Sequence, residues 1–222
     1  MTIHLPVDHL VAVVSDLEKA RIALANAGFT VTPIARHSEA MGTANACIML
    51  RGIYIELMGI VAETPANEGW RTLLEAGPGL RGIALRSTDI AGTATMLANK
   101  DIAAEPVRDF SRQMPEGELR FSVIRLPRTM TPGLQCLYCQ HHTPQLLWTP
   151  QAMQHANGAT RITAASVAGS AALSMLDAGD GLPIADQPEG RIEIDLPTAL
   201  STADHDAIHR ETGILIEKTP VS

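Results

Sequence analysis

The sequence predicts an α+β fold in which paired βαβββ modules form curved mixed sheets around a cleft, with a partial third module at the C-terminus. Three observations predict it. Apolar residues make up 45% and charged residues 18% of the 222 residues, the range of a globular chain with a real core. Short β-branched runs alternate with segments of helical period. The pattern also recurs: Asp16 and Asp89 align at a spacing of 73 residues, and Gly92 and Gly169 at 77. That period is too long for a common solenoid repeat. One helix covers one face of a βαβββ sheet; the other face must be buried or become a cavity, so pairing two units is the natural solution. The modules are expected over residues 1–60, 61–150 and 151–222.

VDHLVAVV reads as a buried strand. SDLEKARIALANAG follows as a helix. Ser15 and Glu18 have capping-box spacing, Leu17, Ala20, Leu24 and Ala27 share a face, and Gly28 suits the position after the helix, where a left-handed residue is needed. FTVTPIAR, NACIMLR and YIELMG read as three strands, with Gly42 and Gly52 in the gaps. Residues 60–79 read as a connection. LRGIALRSTDIAGTATMLANKDI then repeats strand and capped helix, and strands near 119–126 and 134–140 complete the second unit. A third copy starts at ITAASVAGSAALSML, with RIEIDL as a strand and ADHDAIHRET as a helix. The turn-rich stretch 177–190 is expected to be a surface loop.

The net charge of −7 argues against nucleic acid or an anionic membrane as the main partner. No run approaches the roughly 18 apolar residues of a membrane span. Leu10–Val14 is too short for the apolar region of a signal peptide, and the three cysteines form no disulfide framework. These features read as a cytoplasmic protein whose partner is a small molecule. A homodimer is a further expectation, with the C-terminal third either completing a partner unit, capping the cleft or forming a dimer interface.

DHLVAVVSDLEKA, RHSEAMGTANACIML, YIEL and CQHHTPQLLW with HANGA, in that order, resemble the glyoxalase-like domain group of the vicinal-oxygen-chelate superfamily, across about residues 7–160. The resemblance implies the fold shared by glyoxalases, bleomycin-resistance proteins and dioxygenases of this type. It also implies metal ligands on the first and last strands of the units. Here those strands offer His9 and Glu56. Side chains alternate along a strand, so Tyr54, Glu56 and Met58 share one face, opposite Ile53, Ile55 and Leu57. A carboxylate among apolar residues is costly unless paired or metal-bound. Imidazole plus carboxylate suits zinc, iron, manganese or nickel.

The second unit departs from this pattern. Gly82 stands where His9 would recur, and matching Tyr138 to Tyr54 places Gln140, with His141 beside it, where Glu56 would recur. The metal set is therefore His9, Glu56, Gln140 and His141, and a metal-free cleft is the alternative. His37, Thr43, Asn45, Tyr54 and Tyr138 are the expected substrate-binding groups. Cys136 and Cys139 point to opposite faces of a strand and read as structural. His155 reads as a surface or turn residue, and His205 and His209 as part of a solvated helix face. Trp70 and Trp148 either line a pocket or anchor loops.

Two function classes follow. In the first, a small-molecule enzyme carries out isomerisation, lyase chemistry or ring cleavage, with a Lewis-acid metal or with Glu56 as general base. In the second, a non-catalytic protein uses the same cleft to bind or sequester a small molecule.

Overall fold

The computed structural model describes residues 2–114, 116–176 and 181–220. The strands and helices run in this order: β1 (Thr2–Leu5), β2 (Val7–Val14), α1 (Leu17–Asn26), β3 (Ala35–Arg36), β4 (Thr43–Met49), β5 (Tyr54–Ile60), α2 (Glu68–Leu74), β6 (Gly79–Arg86), α3 (Ile90–Asn99), β7 (Arg108–Met114), β8 (Gly117–Arg125), β9 (Gln135–His141), β10 (Ile162–Ser166), β11 (Leu182–Ala185), β12 (Gly190–Ile194), α4 (Thr202–Thr212) and β13 (Ile214–Lys218).

Eight strands form one curled sheet in the order β3-β4-β5-β2-β6-β9-β8-β7. Read outward from the β2–β6 seam, each half repeats the other, as the 73-residue period predicts. The two repeated helices even begin with the same device: Asp16 accepts from the Lys19 N–H and Asp89 from the Gly92 N–H, each at 3.0 Å. The cap of α1 is thus Asp16, one residue after the expected Ser15. Replacing Asp89 by alanine strands that N–H and is expected to cost about 1 kcal/mol, measured by urea unfolding.

Alternation divides the large sheet into two faces. Leu10, Ala12 and Val14 of β2, with Ile55, Leu57, Ile83 and Leu85, pack under Ala20 and Leu24 of α1 and Leu97 of α3. His9, Val11 and Val13 point the other way, into the concavity. Residues 60–79 are more than a connection, because α2 lays Trp70 and Leu73 on Val11, Val13 and Met58 at one end of the concave face.

The C-terminal third forms a second sheet, in the order β1-β11-β10-β12-β13, and the N-terminal strand joins it. Ile162, Ile184, Ile192 and Ile194 share one core with the convex face of the large sheet, and α4 lies against α1. This third therefore covers the convex face, and among its described residues none lines the cleft. Within the stretch expected to be a loop, residues 177–180 lie outside the described residues, and Leu182–Ala185 form β11.

Two further differences have physical causes. FTVTPIAR keeps only Ala35–Arg36 in the ladder. Pro33 carries no N–H, and at Thr32 the side-chain Oγ1 accepts the Cys47 N–H at 2.8 Å. RDFSRQM, too polar to read as a strand, pairs with β8 as the outermost strand β7, where polar residues are at home. Among the described residues no helix is long and apolar enough to cross a membrane.

Candidate active site

The concave face holds a cleft of about 420 Å³. His9 enters it from β2, Tyr54, Glu56 and Met58 from β5, Asn45 and Cys47 from β4, and Leu137, Cys139 and His141 from β9. His37 lines the rim, with Thr43 behind it: His37 Nδ1 lies 2.7 Å from Thr43 Oγ1, and Thr43 itself is buried off the cleft.

Besides Thr43, two expected site residues are not in the cleft. Gln140 faces the start of α3, where Oε1 accepts the Ile90 N–H at 2.9 Å and Nε2 donates to the Thr88 carbonyl at 2.8 Å. Tyr138 belongs to the convex core. The reason is register. In the parallel ladders Tyr54 lies beside His9 and Gln135 beside Gly82, so the positions corresponding to Tyr54 and Glu56 are Gln135 and Leu137. Matching Tyr138 to Tyr54 shifts the strand by an odd number of residues, which reverses every face. His141 remains on the cleft side, and His142 turns away to Ser122.

The site is organised around a residue the sequence did not single out. The β2–β6 register shifts between Val7 and His9, because two steps on β2 match one on β6. A bulge of this kind re-aims a side chain. Asp8, 1% exposed, is thereby brought to the same cluster as its neighbour His9. Asp8 Oδ1 lies 2.8 Å from His9 Nδ1 and 2.9 Å from His141 Nε2, and Oδ2 lies 3.3 Å from Arg86 Nε. Burial alone would favour a protonated Asp8. The hydrogen bonds from His141 and His9, with the attraction of both rings, outweigh it and hold the carboxyl well below the usual carboxylate range.

A carboxylate only accepts, so both histidines spend a proton on Asp8. His9 Nε2 faces Glu56 Oε2 at 3.4 Å. Glu56 is fixed from behind, where Oε1 accepts from Asn45 Nδ2 at 2.7 Å. Tyr54 stacks on the His9 ring with centroids 4.4 Å apart, and burial, followed by the charges of Asp8 and Glu56, raises its phenol. His141 Nδ1 is buried with no hydrogen-bond partner among the described residues.

Asp8, Cys139 and His141 bring three potential metal-binding atoms within 4.8 Å of one another. Asp8 Oδ1 already serves two imidazoles, and burial raises the Cys139 thiol well above its ordinary range. All three cysteines are buried, and burial likewise raises Cys47 and pushes Cys136 up to about 12. At about pH 8, where an exposed thiol reacts, the folded protein is expected to stay silent to a colorimetric thiol reagent, and every cysteine should react in denaturant. Fast labelling of the native protein would contradict this burial.

Trp70 lines the cleft, whereas Trp148 anchors a loop by donating to the Leu50 carbonyl at 3.0 Å. His155 is buried, contrary to its expected surface position. Its Nδ1 accepts the Thr30 N–H at 2.9 Å and its Nε2 donates to the Met49 carbonyl at 2.9 Å.

The paired modules curled around a cleft are the vicinal-oxygen-chelate fold. The family model described as a glyoxalase-like domain matches residues 7–179, and the chain belongs to that family. Comparison with the curated proteins finds no match. Among solved structures, a hypothetical protein from Staphylococcus aureus shares 12% identity at a TM-score of 0.70, covering 97% of this chain and 98% of the other. A methylmalonyl-CoA epimerase from Streptomyces coelicolor shares 20% identity at a TM-score of 0.47, covering 63% of this chain and 99% of the epimerase. The Mycobacterium tuberculosis methylmalonyl-CoA epimerase shares 19% identity at a TM-score of 0.48, covering 65% of this chain and 92% of that chain.

Proposed function

We propose that the cleft is the active site of a small-molecule enzyme in which His9 and Glu56 hold a divalent metal ion. One observation carries this reading. His9 Nε2 and Glu56 Oε2 stand 3.4 Å apart in the cleft, each side chain fixed from behind, by Asp8 and by Asn45. Facing lone pairs in a buried site repel unless a cation or a proton lies between them. His141 lines the same cleft, but its ligand atoms group with Asp8 and Cys139 and not with His9 and Glu56, so the ion would rest on two protein ligands with the remaining positions open to substrate. Bound there, a zinc, iron, manganese or nickel ion would supply Lewis-acid stabilisation of negative charge on neighbouring substrate oxygens. That chemistry serves isomerisation, lyase and ring-cleavage reactions.

The chain's own groups have distinct tasks. Asp8 selects the His9 tautomer that presents Nε2. Asn45 holds the Glu56 carboxylate in place, and Tyr54 walls the imidazole. His37, Asn45 and Tyr54 are the polar groups that meet the substrate.

Elemental analysis of protein purified without chelator tests the proposal. A stoichiometric ion is expected, lost in His9→Ala and in Glu56→Ala and retained in Gln140→Ala. Protein that stays metal-free after incubation with zinc, nickel, manganese and iron(II) would sink it.

A second reading is a non-catalytic binding protein. It is favoured by Gly82, whose added Cβ would lie 2.9 Å from Val11 Cβ and 3.0 Å from the Trp70 ring. Where the first module carries an imidazole, the second leaves room for an aromatic wall. Ligand binding with neither metal nor turnover would select this reading.

A further inference from the structure

We propose that the ligand of this cleft is an organic oxyanion, a carboxylate or phosphate on a flat apolar body, with its acid end on Arg112 and Arg125 and its body against Phe110 and Phe121. The inference rests on the reading of the cleft as a small-molecule site and does not require the metal.

The alternation of the two outer strands carries it. β8 turns Leu119, Phe121, Val123 and Arg125 into the cleft, and β7 turns Phe110 and Arg112. Phe110 lies directly beside Phe121 in the ladder, with the rings stacked at 5.5 Å and 21°. The chain has only three phenylalanines, two tryptophans and two tyrosines, yet Phe110, Phe121, Trp70 and Tyr54 all line this one cleft. Such concentration gives a flat ring a stacking surface.

Charge points the same way. The chain carries a net −7, but the cleft is lined by Arg36, Arg112 and Arg125 against a single carboxylate, Glu56. Among the described residues neither Arg112 nor Arg125 makes a side-chain hydrogen bond or ion pair; the nearby Glu105 pairs with Arg108 at 3.3 Å. A guanidinium on a concave, partly dry wall is costly to leave without an anion, and its fork matches carboxylate and phosphate oxygens. His37 ties the two arginines to one part of the cleft: burial first, opposed by the charge of Glu56 and aided by the charges of Arg112 and Arg125, holds its imidazole below the ordinary range. A neutral His37 there can donate or accept without repelling the anion. A positive cleft in a negative molecule also raises the local concentration of anionic ligands.

The test is titration calorimetry with naphthoate, naphthyl phosphate and the neutral naphthamide, on wild type, Arg112→Met and Arg125→Met. At least one naphthyl anion is expected to bind at least about tenfold more tightly than naphthamide. Each methionine variant should lose about tenfold in affinity for that anion and leave naphthamide unchanged. The tighter of the two anions identifies the oxyanion. Added salt should weaken the anion and spare the amide. If a methionine variant fails to fold by circular dichroism, the lysine variant and the salt series on wild type replace it. The proposal is overturned if naphthamide binds as tightly as the anions, if both arginine variants keep wild-type anion affinity, or if neither anion binds at millimolar concentration. His9→Ala separates this inference from the metal. Arginine-dependent selectivity that survives there supports the oxyanion whatever the metal content, whereas a metal-loaded wild type without selectivity sinks the oxyanion alone.

Discussion

Asp8→Ala is expected to cost about 3–5 kcal/mol of unfolding free energy and to lower affinity for a divalent ion by roughly 10–100-fold. The size follows from what Asp8 touches. Its carboxylate is buried and accepts from His9 at 2.8 Å, His141 at 2.9 Å and Arg86 at 3.3 Å. Removing it strands two imidazole N–H groups in a dry site, and unpaired buried polar groups carry the full desolvation penalty. It also frees His9 to rotate or to move its proton to Nε2, which removes the metal-facing lone pair. Asp8→Asn separates these effects, because the amide keeps an acceptor oxygen and loses the charge. The pH dependence has a definite sign. The carboxyl pKa is depressed on folding, so its contribution is complete above the unfolded value of about 4 and is lost as pH falls below it. The stability gap between wild type and Asp8→Asn should therefore be full at neutral pH and close on acidification. Urea unfolding across a pH series measures it. A gap below about 1 kcal/mol at neutral pH would mean that the buried carboxylate contributes no more than an ordinary hydrogen bond.

The legibility of this site in the sequence follows from which interactions are periodic. His9 and Glu56 sit on the two strands of the β2–β5 ladder, whose register runs unbroken from His9 to Val14, and the structure places them face to face. Asp8 was hidden because strict alternation sends adjacent residues to opposite faces, and the bulge that overrides this leaves no mark in VDHL. Gln140 leaves the cleft face for a reason of the same kind. A single tyrosine match set the register, while the ladder is set by Gly82 lying beside Gln135. Arg112 and Phe110 were missed with their strand, since RDFSRQM has the polarity of an edge and no apolar period. The cap at Asp89 was legible because a helix start is a local event. The pairing of β1 with β11 was not, because it joins residues nearly the whole chain apart.

Ile192→Ala, far from the cleft, is expected to lower the stability of the cleft itself by about 2–5 kcal/mol. Ile192 is fully buried on β12 of the smaller sheet, and its removal leaves a cavity that close-packed neighbours fill only in part. The two sheets share one apolar cluster, in which Ile192 and Ile194 join Leu57 and Ile83 of the large sheet. If that core is one cooperative unit, damage to the smaller sheet must appear on the far side of the larger one. The chain reports on this by itself. It has two tryptophans; Trp70 lines the cleft, and Trp148 packs edge-on to Tyr54 at 5.6 Å. Fluorescence therefore follows the concave side alone, whereas far-ultraviolet dichroism follows both sheets. In wild type the two urea transitions should coincide, and in Ile192→Ala both should move to lower urea by the same amount. A fluorescence midpoint unmoved by Ile192→Ala would divide the chain into two independently melting parts. The convex sheet would then be an appendage, and the geometry of His9 and Glu56 would depend on the first two modules alone.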